Sequence, residues 1–542
     1  MTSKEKDQID VVADVASDTT SNQDLYKAEY HYEVTNKWKF FFLNEPGHPL
    51  NADLFDGEDY NIDTILSYED DQRTDKKTAP LWKKIIGFFW DPIFLPPSER
   101  KYMLKIDFFI YIYAILACFI KYLDQTNINN AFVSGMKEDL NMYGSNDYNL
   151  LTTYFNIGYL SFSVPMSILM KYIRPSILLP SCEILWTFLV MIMAVAKNKE
   201  TIYGLRLLQG VIEASSFPGL TMLIGEYYSK ESLGKRMFML DATGSVARMF
   251  AGYIQAGVYT TMNGRYGLPG WKWVFLVDGF ISIPVAVLGF LFLPDFPRNS
   301  KAFWLKKKER QFALARAKLN KKAQPKPMTI KSIIKTFTSW KLWLFVTTYA
   351  TGVIGLNSTS YFALYLKWLK KYSVQQINLI PTAGSAWQFL SMLIFSAGSD
   401  YTGNRVGWIC LNEFIGFLSC LLLSIWNIPF GALIFAFILG FGTLSAQTIL
   451  MGWFADVFYD EPDLKAINIG LGNTIVYSFN AFLPLGIYKS NEGPRYNLGY
   501  KISMMFFIIG FIMAWVFWFV TNWYNKKRDI EEEKENSKEL NA

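Results

Sequence analysis

The apolar residues of this chain fall into long blocks, and that arrangement constrains the fold more than any other property. The blocks lie at 106–124, 150–170, 177–196, 202–225, 237–260 and 273–293, then at 342–366, 377–399, 406–426, 429–454, 464–488 and 500–523. A helix rises 1.5 Å per residue, so about 20 residues cross the ~30 Å hydrocarbon core of a bilayer. Inside hydrocarbon every backbone polar group must be satisfied within the protein, which makes each block a helix. The expected fold is therefore an all-α membrane protein with twelve transmembrane helices. The charged fraction agrees: it is 18%, against roughly 25% for an ordinary soluble chain.

The blocks divide six and six around a basic segment. The reading places an acidic cytoplasmic tail without sustained structure at 1–80, where 18 Asp/Glu stand against 8 Lys/Arg. An interfacial segment at 81–104 is too short and broken to span, and its aromatics and paired lysines suit a leaflet surface. A six-helix bundle at 105–293, a basic cytoplasmic linker at 294–341, a second six-helix bundle at 342–524 and a cytoplasmic tail at 525–542 follow. Such a layout predicts two repeated bundles with a site between them near the membrane midplane. The linker lysines Lys306, Lys307 and Lys308, together with Lys235, Arg236 and Lys526–Arg528, put both termini in the cytoplasm. Lys367, Lys370 and Lys371 oppose that bias.

Several chemistries are excluded. The two histidines, His31 and His48, lie in the tail, so the membrane region has none for catalysis, metal binding or proton relay. No nucleophile motif argues for an enzyme, and no phosphate-cradling glycine loop argues for ATP-driven transport. Cys118, Cys182, Cys410 and Cys420 all sit inside apolar blocks, which predicts no structural disulfide.

Charges within the blocks carry the functional expectation, because each costs at least a few kcal/mol at mid-bilayer. Arg206 and Glu213 are seven residues apart and share a helix face with Gly210 between them. They form either a substrate-clamping cation with a proton-coupling carboxyl, or an ion-pair brace between helices. Lys121 and Asp124 share a face three residues apart, within the polar cluster of Gln125, Asn127, Asn129 and Asn130. They are a functional cluster or a polar helix end. Asp241 and Arg248 repeat the seven-residue spacing; Asp241 reads as a brace and Arg248 as a reserve anion contact. Asp278, Glu183 and Glu413 read as structural, and Trp387, Gln388, Tyr361 and Tyr365 as packing.

Four motifs resemble the major facilitator superfamily, and within it the anion:cation symporters of the fungal allantoate permease branch. They are Leu123-Asp-Gln-Thr-Asn-Ile-Asn-Asn-Ala131, Arg206-x-x-x-Gly-x-x-Glu213, Gly270-Trp-Lys-Trp-Val-Phe-Leu-Val-Asp-Gly279 and the loop Asp400-Tyr-Thr-Gly403-Asn-Arg405. The resemblance runs over about residues 100–525. It implies the two-bundle fold, a plasma-membrane location, monomeric action without cofactor, and import of a small anion driven by the proton gradient. It implies proton coupling at Asp124 and Glu213, substrate contact at Arg206 and gating at Asp400, Gly403 and Arg405. Gln125 stands where the family's bacterial pattern has arginine, and Lys121, one turn earlier, is expected to supply the missing charge. Gln125, Asn127 and Arg248 complete the expected substrate set. The expected cargo is a sulfur-containing anion such as sulfonate, sulfite or sulfate, or a small carboxylate. Vitamin or allantoate-type carboxylates are the alternative, and a non-transporting nutrient sensor is the rival class.

Overall fold

The computed structural model describes residues 79–540, except 229, 298–299, 301, 307–308, 311–312, 314–335, 458–461 and 490–491. The acidic stretch 1–78 and most of the basic linker, including Lys307 and Lys308, lie outside the described residues.

A short helix α1 (Leu81–Phe89) comes first and exposes Leu81, Trp82 and Ile86. Twelve long helical runs follow. They are α2 (Glu99–Asp139), α3 (Asp147–Tyr172), α4 (Pro175–Met193), α5 (Lys199–Tyr227), α6 (Lys230–Met262) and α7 (Gly270–Phe292), then α8 (340–368), α9 (Val374–Thr402), α10 (Arg405–Ile425), α11 (430–457), α12 (Pro462–Ile487) and α13 (Asn497–Leu540). Among the described residues, eight of these are long and apolar enough to cross a membrane: α2, α4, α5, α7, α9, α10, α11 and α13. The other four, α3, α6, α8 and α12, fall short of that criterion. α3 and α12 pack on each other, and α6 packs on α9. Buried polar residues such as Asn149, Thr153 and Asn156 on α3, Ser245 and Gln255 on α6, and Thr348 and Thr351 on α8 lower the hydropathy of those helices.

Local sequence sets the helix ends. Asn198 accepts the Thr201 amide and caps α5, and the Asn404 side chain caps α10 through the Gly407 amide. Ser373 and Gln376 form a reciprocal capping box at the start of α9. α5 breaks between Glu213 and Ser216. Pro218 removes the amide that the Ala214 carbonyl would receive, so the break falls one turn before the proline.

The helices before the linker pack among themselves: α3 on α5, α4 on α7, and α2 on α6 and α7. After the linker, α13 lies on α10 and α8, and α9 on α11. The tightest crossing joins α3 to α5. A Cβ on Gly158 would lie 2.2 Å from the Leu207 carbonyl oxygen, and one on Gly210 would lie 2.1 Å from that of Phe155. Gly210 therefore serves backbone approach between helices.

Large apolar side chains such as Phe162, Val164, Phe188, Phe280 and Phe519 are exposed, an arrangement that lipid satisfies and water does not. The described start of the linker docks on the first helices. Arg174 pairs with Asp295 at 2.5 Å, Lys105 with Glu309 at 2.5 Å, and Trp304 stacks on Phe109 at 4.5 Å.

Candidate functional site

The site is built on α2 and α5, where both helices are buried by their neighbours. Arg206, Gln209 and Glu213 are 2%, 0% and 0% exposed. Their spacing of three and four residues stacks them on one face. Arg206 Nη1 donates to Gln209 Oε1 at 2.8 Å, Gln209 Nε2 donates to Glu213 Oε2 at 3.2 Å, and Gln125 Nε2 donates to Glu213 Oε1 at 2.5 Å. Arg206 also donates to the Leu151 carbonyl at 3.1 Å and lies over the Phe155 ring. The Arg206–Glu213 relation expected from spacing is thus relayed through Gln209. That residue was missed, although its place between the two charges was visible in the sequence.

Lys121, 1% exposed, makes no ion pair among the described residues. Its ammonium lies 3.5 Å from Tyr159 Oη and within 5.6 Å of the rings of Tyr159, Phe217 and Tyr122. It is within electrostatic range of Glu213 and Asp241. The Tyr159 ring stacks on Tyr477 of α12 at 4.5 Å, so Lys121 sits at the seam between the helices before and after the linker. Arg248 reaches the same seam. Its guanidinium lies over Tyr122, and Nη1 donates to Gln388 Oε1 of α9 at 3.2 Å. Gln388 is therefore a cross-seam acceptor rather than a packing residue. Tyr477 had no signal in the sequence. Asp241, read as a brace, makes no ion pair among the described residues.

Asp124 does not join this cluster. Its Oδ2 accepts from Trp186 Nε1 at 3.0 Å, on the α4 side of α2. Asn127 donates from Nδ2 to Asp278 Oδ2 at 2.9 Å. Asp124 and Glu213, the two carboxyls expected to couple protons, thus occupy two separate sites. Asp278, read as structural, is bonded through Asn127 to α2. Of the other buried acids, Glu183 accepts from Tyr113 Oη at 2.5 Å, and Glu413 lies against Gly352 and Gly510 with Oε2 unpartnered.

Asp400, Gly403 and Arg405 form the α9–α10 turn. Gly403 ends α9 at φ 65°, a left-handed conformation that favours glycine, and Arg405 lies 4.0 Å from the exposed Asp400 carboxylate. A cavity of about 300 Å³ beside this turn is lined by Arg405, Trp453, Trp518 and Asn525, among others.

At the opposite end, the helices before and after the linker are bonded together. Tyr148 Oη donates to the Ser360 carbonyl at 3.0 Å, Asn149 Nδ2 to the carbonyls of Pro484 and Tyr488 at 3.0 and 2.8 Å, and Thr153 Oγ1 to that of Ala481 at 2.7 Å. Tyr361 Oη donates to Asn149 Oδ1 at 2.8 Å, and Lys367 pairs with Glu138 at 2.8 Å. Tyr361 also stacks on Tyr488 at 4.3 Å, in keeping with the packing role expected of it. Among the described residues no group of three or more His, Cys, Asp or Glu could hold a metal ion.

Residues 114–484 match the family model described as Major Facilitator Superfamily. The chain belongs to that superfamily. It is 32% identical to the MFS transporter PfmaC of Pestalotiopsis fici over 76% of this chain and 78% of that protein. It is 31% identical to the pantothenate transporter liz1 of Schizosaccharomyces pombe over 74% and 78%, and 30% identical to the vitamin H transporter of Saccharomyces cerevisiae over 76% and 70%. Among solved structures it resembles the partially occluded, inward-open xylose transporter XylE of E. coli, with a TM-score of 0.57 and 12% identity over 76% of this chain and 99% of that one. This superfamily member is a multi-pass, all-α membrane transporter, not an enzyme.

Proposed function

We propose that this chain is a proton-coupled importer of a small carboxylate, of the vitamin type. The observation that carries the reading is the buried Lys121 ammonium without an ion-pair partner at the seam. Around it, Lys121 and Arg248 face Glu213 and Asp241 as anions, and Arg206 faces Glu213 and, behind the cluster, Asp124. A proton arriving at Glu213 removes one negative charge and leaves the cluster more positive. Anion and proton then bind more favourably together than apart, which is all that coupling requires. Two of the relatives are named for pantothenate and vitamin H, both carboxylates, which favours that cargo over a sulfur-containing anion.

In this reading α2–α13 are twelve spans in two six-helix bundles, with the basic linker and both termini in the cytoplasm. The end sealed by Asn149, Tyr361 and Lys367 is then the outer end, and the arrangement is inward-facing. Outside, Glu213 takes a proton and the carboxylate settles against Lys121 and Arg248. The halves rock, cytoplasmic pH strips Glu213, and the anion leaves.

The test is uptake of labelled pantothenate and biotin into proteoliposomes under an imposed pH gradient. Accumulation that rises with external acidity, collapses with a protonophore and resists competition by sulfite and taurine is expected. Binding without flux, or uptake indifferent to the gradient, would overturn the reading.

A further inference from the structure

Two sequence motifs far apart in the chain meet behind the central cluster. The first is the Asp124–Asn127 segment of α2, and the second ends in Asp278 of α7. The carboxyls of Asp124 and Asp278 lie within hydrogen-bonding reach of each other. One oxygen of each is already taken, Asp124 Oδ2 by Trp186 and Asp278 Oδ2 by Asn127. The other two, Asp124 Oδ1 and Asp278 Oδ1, are buried without a partner, as is Asn127 Oδ1. Exposure is 3% for Asp124 and 1% for Asp278.

The surrounding charges do not neutralise the pair. Neither carboxyl makes an ion pair among the described residues. Arg206 and Glu213 on α5 act on Asp124 from a distance and are themselves joined through Gln209. On α4, Glu183 is held by Tyr113 and Cys182 is buried. On α2, Cys118 is buried and Lys121 is directed to Tyr159. On α6, Arg248 is directed to Gln388, and Asp241 is within range of Lys121 and Arg248.

Two adjacent carboxylates repel when both are ionised in a medium of low dielectric. A single proton between them replaces that repulsion with a charge-assisted O–H···O bond. It also gives the orphaned oxygens a partner, which buried polar atoms require.

We propose that Asp124 and Asp278 share one proton and form a second proton-binding site, enclosed between α2, α4 and α7 and separate from Glu213. The two sites are joined through α2, because Gln125, the neighbour of Asp124, donates to Glu213. Losing the shared proton changes how α2 is held against α7, and so where Gln125 presents its amide. The use of this proton in transport rests on the reading of the chain as a proton-coupled carrier; its presence does not.

The experiment is infrared difference spectroscopy of the purified full chain between acid and alkaline pH. The wild type, Asp124→Asn, Asp278→Asn, the double variant and Glu213→Gln are compared, with monodispersity by gel filtration checking their folding and Asp278→Glu as a conservative control. The expected result is a protonated-carboxyl band that persists to higher pH in the wild type than in either single Asn variant. A difference of about one pH unit or more reflects the lost neighbouring carboxylate. The band should vanish in the double variant, persist in Glu213→Gln, and keep its midpoint in Asp278→Glu. Equal midpoints in wild type and single variants would overturn the shared proton. So would displacement of the band by sodium chloride, which would make this a metal-cation site. In proteoliposomes, Asp278→Asn should move the acid-dependent rise in uptake to lower pH, and an unmoved profile would overturn the role in transport. Wild-type uptake indifferent to pH would instead sink the carrier reading and leave the spectroscopic result standing.

Discussion

Glu213 accepts from both Gln125 and Gln209, so replacing it by glutamine retains the volume, removes the titrating group and turns one acceptor into a donor that Gln125 can meet by flipping its amide. Glu213→Gln should therefore keep exchange of labelled for unlabelled substrate and lose accumulation driven by a pH gradient; persistent accumulation would clear Glu213 of coupling. Lys121→Ala and Arg248→Ala remove the cations that face the seam. Each should raise the KM for a carboxylate roughly tenfold to a hundredfold, the worth of one charged hydrogen bond. Unchanged KM in both would move the anion elsewhere. Much of this set was legible in the sequence, because charge inside an apolar block is costly and conspicuous. The directions of Asp124 and Gln125 were not, since helix rotation is fixed by how α2 packs on α6 and α7. Gln125, standing where the related pattern has arginine, turns its amide to Glu213.

At the scale of elements, the α3–α5 crossing is the most demanding contact. Gly210→Ala places a methyl against the Phe155 carbonyl, and Gly210→Leu more. Overpacking of this kind costs about 1–3 kcal/mol. Gly210→Leu should lower the yield of monodisperse protein and its melting temperature, and a variant as stable as wild type would show that the helices can part. The helices were legible from apolar blocks, but their ends were not. α13 runs to Leu540, well past the apolar block ending at 523, because helical propensity continues where hydropathy stops. Likewise α6 begins at Lys230, seven residues before its block. Polar residues such as Asn149 and Thr153 on α3 and Arg248 on α6 weakened the hydropathy of their helices and bond across the seam.

For the whole molecule, the sealed end joins residues more than 200 positions apart, such as Asn149 with Tyr488 and Glu138 with Lys367. No local pattern encodes such pairs, which is why the sequence could foretell two halves and not which end is shut. Lys367 had counted against the orientation derived from charge; in the structure Glu138 accompanies it. If the halves must part at this end in each cycle, tying them should stop the cycle. Glu138→Cys with Lys367→Cys, joined by a cleavable bifunctional thiol reagent, should lose uptake and regain it on cleavage. Full uptake in the cross-linked protein would show that this seam stays closed throughout.

Lys121 offers a different handle. A buried ammonium without a direct ion-pair partner is a standing cost of the empty protein, and whatever anion neutralises it binds the folded chain and not the unfolded one. Cargo should therefore act as a stabiliser: at a hundred times its dissociation constant it adds about 2.7 kcal/mol to folding. Melting the detergent-solubilised protein across a library of carboxylates would rank candidate substrates without any measurement of flux, and Lys121→Ala should flatten that ranking.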